Sequence, residues 1–465
     1  MPGDGPTGRR HDSPASGMGH DEPEAPPRPP GTAPGGREAA VERALDAAEA
    51  LFADRGPQQV SVRDIAAATG VSHALLHRYL GSKDDIIAAV FARRAALVQQ
   101  RGPGAADLRE LTEWFARNGL VHLREYLRLV ARAAMDGVPY GVSGGEFPGT
   151  RELVRLAMLQ GRSDSQAAWY PGIDPRFLIA ALGALHVGWA VLDEVLLEAA
   201  GLAEMNAGEA LDDLTSVMDV LLLAALPWDE EQQRTRPRIH LSESARPPQA
   251  AAGSPPQDSV SGVVQPSQGP RGGRAAVKAR AAEAAAELFT ARGSHLVSVR
   301  DIAARAGVSH ALVHRYLGSK DDILVRVILS NERRFAEAVT GAATVQEAAL
   351  LMLRSDWRVG RAYMGLVARA VMDGLSPESA RGSFPATRHL VELAQVQAAR
   401  AADPAPFPGV APAFAVAATV ALVVGWIVAG DWMMCMVGLE DWDRGTGEEQ
   451  LQRLVDCLLT ALVPE

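Results

Sequence analysis

Two eight-residue stretches carry the side chains best suited to reading another molecule: HALLHRYL from His73 and, 237 positions later, HALVHRYL from His310. Wound as a helix, the first turns Leu76 and Leu80 inward and leaves His73, Ala74, His77, Arg78 and Tyr79 outward, with Leu75 flanking. The second presents His310, Ala311, His314, Arg315 and Tyr316, with Leu312 flanking. Such a face has two imidazoles, a guanidinium, a phenol and no acid, which suits a groove lined by phosphates and base edges. A merely solvated helix face needs no such set. Histidine titrates near neutrality, so acidification should strengthen contact with phosphates. His73 and His77, like His310 and His314, stand four apart, a spacing that can hold a metal, yet no Cys or acid nearby completes a ligand set. No resident metal or cofactor is expected. A Ser-His-Asp arrangement, a Gly-rich phosphate loop and HExxH are all missing from the sequence, so no enzyme is expected either.

The elements that must position these faces are legible nearby. Residues Arg37 to Arg55 place Val41, Leu45, Ala48, Leu51 and Phe52 on one helical face, and Gly56 ends it. Ser61 and Asp64 form a capping box for a second helix, Val62 to Thr69, which stops at Gly70. Ser72 caps a third, His73 to Tyr79, and Ser82 with Asp85 opens a longer fourth. Ile65, Val71, Leu76 and Leu80 converge between the second and third, which gives a helix-turn-helix.

The whole arrangement occurs twice. Val60 to Ile86 matches Val297 to Ile323 at 24 of 27 positions, and the same 237-residue shift aligns the copies to Pro227 and Pro464. The division predicted is a disordered tail (1–36), head 1 (37–102), bundle 1 (103–227), a flexible linker (228–273), head 2 (274–339) and bundle 2 (340–465). The tail holds nine Pro and eight Gly, and the linker could span about 35–40 Å as a coil. Few aromatics, 24 in 465 residues, and abundant Ala, Leu, Glu and Arg favour an all-α fold. In bundle 1 the helical stretches are Leu108 to Met135, Thr150 to Gln160, Pro175 to Ala200 and Gly208 to Leu226. The apolar run Ala413 to Gly430 imitates a membrane span, but its counterpart carries Arg176, His186, Asp193 and Glu194, so a packed helix is expected. Two cysteines without CxxC spacing and an N-terminus without an apolar leader point to the cytoplasm. The net charge of −10 conceals nearly balanced heads: nine Lys and Arg against eight acids in 37–102, and eleven against seven in 274–339. Binding should rest on a few placed cations, with the second head gripping more tightly through Arg305, where the first has Ala68.

SVRDIAAATGVSHALLHRYLGSKDDI and its twin resemble the DNA-binding end of the tetracycline-repressor (TetR) family of bacterial transcriptional regulators. The resemblance implies that Arg63 touches a base edge or phosphate, that His73, Ala74, Leu75 and Arg78 face bases, that His77 and Tyr79 reach phosphates, and that Lys83 pins the backbone. Arg300, His310, Ala311, Leu312, Arg315, His314, Tyr316 and Lys320 are the second set. His77 and His314 replace the family's usual Tyr, Leu80 and Leu317 its usual Phe, and Leu75 and Leu312 its common Thr or Ser, so base preference does not carry over.

The resemblance also implies a ligand pocket in each bundle and pairing of the last two long helices. Plausible linings are Trp114, Tyr126, Arg132, Met135, Trp169, His186 and Trp189, and Trp357, Tyr363, Arg369, Met372, Trp426, Met433 and Met434. Arg132 and Asp136, at i,i+4, read as a local salt bridge. Asp174–Leu202 matches Ala411–Leu439 at only 12 of 29 positions, as expected if the two sides of an internal interface have diverged. The expected molecule is a monomer acting as an intramolecular pseudo-dimer, or a homodimer. Its partners are a near-palindromic double-stranded DNA operator and a small, mostly apolar effector that releases a repressor. A constitutive architectural DNA-binding protein is the alternative.

Overall fold

A computed structural model describes residues 36–101, 107–143, 148–162, 168–227, 273–294, 296–354, 357–375, 384–407 and 409–464. Apart from Gly36 and Gly273, the tail and linker lie outside these residues. Among the described residues there are eighteen α-helices and no strand, nine helices per copy. The first copy has α1 (Arg37–Arg55), α2 (Val62–Thr69), α3 (His73–Leu80), α4 (Lys83–Arg101), α5 (Leu108–His122), α6 (Arg124–Met135), α7 (Pro148–Gln160), α8 (Pro175–Ala199) and α9 (Ala207–Ala225). The second has α10 (Arg274–Arg292), α11 (Val299–Ala306), α12 (His310–Leu317), α13 (Lys320–Val339), α14 (Val345–Arg354), α15 (Trp357–Met372), α16 (Pro385–Arg400), α17 (Pro412–Met436) and α18 (Arg444–Leu462).

Local chemistry sets the head boundaries. The Ser61–Asp64 and Ser298–Asp301 capping boxes satisfy the first free amides of α2 and α11. Gly70 (φ 67°) and Gly307 (φ 65°) then turn the chain through the left-handed region, where a β-carbon is disfavoured. Ile65 and Leu76, like Ile302 and Val313, are buried beneath the helix pair. The stretch expected as one helix from Leu108 to Met135 is two helices, broken at Leu123.

The bundles meet along α8 and α17, the most extensive helix pair in the molecule. A β-carbon on Gly188 would sit 1.9 Å from the Ala421 carbonyl oxygen, and one on Gly425 1.8 Å from that of Ala184. Only glycine permits so close a crossing. The flanking aromatics are exchanged in the same way: Phe177 packs on Trp426 (4.8 Å between centroids) and Trp189 on Phe414 (5.0 Å). Residue 177 corresponds to 414, 189 to 426, 184 to 421 and 188 to 425, so each contact has its reciprocal. Both helices are long and apolar enough to cross a membrane, but both are largely buried inside the protein.

Candidate nucleic-acid interface and interior cavity

The third helix of each head presents the expected side chains. His73, Ala74, Leu75, His77 and Arg78 are exposed, as are His310, Ala311, His314 and Arg315, while Leu312 is half-buried. Arg63 and Arg300 are exposed at the starts of α2 and α11. The imidazoles of each i,i+4 pair lie 6.3 Å apart between centroids, and no cluster of three or more His, Cys, Asp or Glu that could hold a metal occurs among the described residues. Tyr79 and Tyr316 are half-buried, each ring covered by the guanidinium of a helix-opening arginine, Arg37 at 5.4 Å and Arg274 at 5.5 Å. Sequence reasoning missed these two arginines. Their signal was a basic residue opening the first helix at equivalent positions of both copies.

Lys83 and Arg305 are engaged within the protein. The Lys83 ammonium donates to the Gln58 carbonyl (2.9 Å), and burial holds its pKa down against the opposing pull of Asp84 and Asp136. Arg305 pairs with Glu287 of α10 at 2.6 Å, so the extra charge expected to tighten the second head is partly committed within it.

A crossed pair of ion bridges joins the two bundles where they meet the heads. Arg132 on α6 bridges Asp373, just beyond α15, and donates to the Met372 carbonyl (3.1 Å) and to the Asp54 carbonyl of head 1 (3.0 Å). Arg369 on α15 bridges Asp136, just beyond α6, at 3.1 Å and donates to the Met135 carbonyl (2.8 Å). Asp373 also accepts from Ser294 of head 2 and Asp136 from the Gln58 amide of head 1. The local Arg132–Asp136 bridge expected from spacing is therefore exchanged between copies. Each guanidinium reaches the carbonyl end of the facing helix, where the helix dipole favours a cation.

Bundle 1, together with the end of α17, lines a partly open cavity of about 300 Å³, a volume suited to a small ligand. Of the residues proposed for a pocket, Trp114, Tyr126, His186 and Met433 line it, together with Thr112, Phe115, Gly149, Gly183 and, from the second copy, Trp432 and Met436. His186 Nδ1 lies 2.8 Å from the Leu182 carbonyl, while its Nε2 and the Thr112 hydroxyl, both buried, have no hydrogen-bond partner among the described residues. Burial pushes the imidazole pKa down; the Leu182 and Phe115 carbonyls pull the other way, the latter outside hydrogen-bonding geometry. The other proposed lining residues lie elsewhere. Arg132 and Arg369 form the crossed bridges, which the Met135 and Met372 carbonyls complete. Trp169 packs on Phe407, and Trp189 and Trp426 flank the α8–α17 crossing. Tyr363 donates to Glu332, Met434 is buried in the core, and the Trp357 side chain lies outside the description.

The family described as bacterial regulatory proteins, tetR family, matches residues 44–90 and 282–327, one match per head. The chain is 34% identical over 180 residues to the HTH-type transcriptional repressor Rv3405c of Mycobacterium tuberculosis, covering 38% of this chain and 85% of that protein. The HTH-type transcriptional regulator Mb3439c of Mycobacterium bovis matches to the same extent. The uncharacterized HTH-type transcriptional regulator Rv1255c of M. tuberculosis is 34% identical over 122 residues, 25% of this chain and 58% of that protein. An alignment of 180 residues is about one copy long, so a single copy corresponds to most of such a relative. With two helix-turn-helix heads on two helical bundles, the chain belongs to the tetR family of bacterial regulatory proteins and carries that family's unit twice in tandem.

Proposed function

We propose that the protein is a cytoplasmic, non-enzymatic repressor in which one chain acts as a pseudo-dimer on an inverted-repeat operator, and from which a small, mostly apolar effector releases it. The observation that carries the reading is the pairing of identical exposed residues on α3 and α12 with the reciprocal contacts of the α8–α17 crossing. Two equal readers related by a pseudo-twofold axis suit half-sites of opposite orientation, about 34–36 Å apart on one face of the duplex. Arg78 and Arg315 would chelate guanine while Leu75 and Leu312 press on a thymine methyl, each such contact contributing about 1–3 kcal/mol of discrimination. Lys83 and Lys320 at the starts of α4 and α13, with Arg63, Arg300, His77, His314, Tyr79 and Tyr316, would hold phosphates. An effector that fits one head spacing worse than the other lowers affinity by its differential binding. The cavity, with buried polar atoms that have no partner among the described residues, favours this reading over a constitutive architectural protein.

Selection of duplexes from a random DNA pool by the full-length chain, with its mass measured in solution, tests the proposal. The expected result is an inverted repeat bound at the 49.2 kDa mass of one chain. Arg78→Ala and Arg315→Ala should each relax preference in one half-site by about 1–3 kcal/mol. A chain that selects no sequence, or whose binding is indifferent to Arg78→Ala, overturns it.

A further inference from the structure

The two copies treat the same region of their bundles differently. Counterparts of the cavity lining lie 237 residues on, and several are larger: Ala95 becomes Glu332, Gly149 becomes Ala386 and Gly183 becomes Val420. The buried Glu332 carboxylate accepts from the Tyr363 hydroxyl (2.9 Å) and the Ala386 amide (3.0 Å). Tyr363 and Ala386 correspond to Tyr126 and Gly149, both of which line the first cavity. Glu332 therefore lies where the first copy has open space. Phe335, at the position of Val98, packs 5.6 Å from the Tyr363 ring and 3.4 Å from where Gly360 would carry a β-carbon. Gly360 in turn corresponds to Leu123, another lining residue.

The polar groups follow the space. Thr112 and His186, whose buried hydroxyl and Nε2 have no hydrogen-bond partner among the described residues, are Ala349 and Val423 in the second copy. Where the volume is filled, the buried carboxylate is satisfied from within; where it is open, an imidazole and a hydroxyl are left for something else. With Nδ1–H donating to the Leu182 carbonyl, the neutral ring of His186 offers a lone pair at Nε2. The cavity is also closed partly by Trp432 and Met433 of the second copy, so its occupant bears on the contact between copies. Gly183 makes room for this, since a β-carbon there would meet the Met433 sulfur at 2.8 Å.

We infer that the protein senses with its first copy alone: it takes one effector per chain, a mostly apolar molecule with a hydrogen-bond donor set against His186, while Glu332 and Phe335 stopper the second copy. This rests on the effector reading above. The test is a titration of the full-length chain with N-phenyl-1-naphthylamine, an apolar fluorescent amine with a single N–H, alongside anisotropy of the selected operator. The dye should saturate at one per chain. Ala95→Glu, which gives the first copy the second copy's residue, should abolish saturable binding. His186→Val should weaken it about tenfold, the equivalent of one hydrogen bond of about 1.4 kcal/mol. Glu332→Ala with Phe335→Val, its fold verified by circular dichroism, should raise the stoichiometry to two.

Two dyes per wild-type chain, none at all, binding that survives both Ala95→Glu and His186→Val, or a folded double variant that still takes one dye overturns the inference. Binding at one dye per chain that leaves operator affinity unchanged supports the single site and sinks the effector reading. Operator release with two dyes per chain does the reverse.

Discussion

Glu332 is buried, and removal from water pushes its carboxyl up to about 7, against the opposing hydrogen bonds of Tyr363, Ala386 and Thr387 and the charge of Arg388. A raised acid pKa favours the folded state fully only below the ordinary value of 4.5. Between that value and about 7 the unfolded chain ionises while the folded one holds its proton, so this contribution is lost as pH rises and then levels off. Full ionisation costs on the order of 3 kcal/mol. Thermal unfolding of the wild type and Glu332→Gln from pH 5 to pH 8 should show the wild type falling relative to the variant up to about pH 7, with a constant difference above. A difference independent of pH would show that the carboxyl is not held neutral. At this scale the heads were legible because their signals are local: a serine three residues before an aspartate caps a helix wherever it folds. Glu332 was not, because its burial depends on Tyr363 and Ala386, 31 and 54 residues away.

Two helices that touch through glycine are held at a distance set by their backbones. Gly188→Ala places a methyl carbon 1.9 Å from the Ala421 carbonyl oxygen and 2.9 Å from the Gly425 amide, neither of which can rotate away. The variant should lose at least the ~1–3 kcal/mol of ordinary overpacking, and Gly425→Ala should behave alike. Gly365→Ala on α15 meets nothing within 4 Å and serves as the control. It should be neutral or stabilise by up to about 1 kcal/mol through helix propensity. Urea unfolding measures all three, and equal stability of Gly188→Ala and Gly365→Ala would refute a crossing limited by glycine. The 237-residue repeat made a packed α17 legible, since its counterpart α8 carries Arg176, Asp193 and Glu194 and could not share a membrane with it, while the pairing of the two followed from the family resemblance. The partners of Arg132 and Arg369 were not legible. An i,i+4 aspartate and its equivalent in the other copy are indistinguishable by spacing, and only the approach of α6 to α15 selects the second.

At the scale of the molecule, the copies are joined by chain and by surface. The surface includes the glycine crossing, the exchanged aromatic pairs, the crossed arginine bridges, and contacts of Gln450 on α18 with the Gly172 carbonyl and the Asp174 amide (both 3.0 Å). The Arg132–Asp373 bridge is nearly out of water, with the arginine side chain 1% exposed and the aspartate 13%. Removing one partner of such a pair typically costs about 3–5 kcal/mol, because it strands the other charge. If the surface holds the two copies together, the covalent connection is dispensable once folding is complete. A protease site placed within residues 228–272 and cut in the native protein should leave the two pieces co-eluting at the mass of the intact chain, with operator affinity unchanged. In an Arg132→Ala background the same cut should raise both the protein concentration at which the pieces stay together and the concentration needed to bind operator, because each arginine ties a bundle to the facing bundle and Arg132 also holds the end of α1 in head 1; a rise in the operator-binding concentration alone would mean that the bridges serve only the heads. Pieces that separate on cutting the wild type would mean that the linker, and not the reciprocal surface, sets the spacing of the two reading helices.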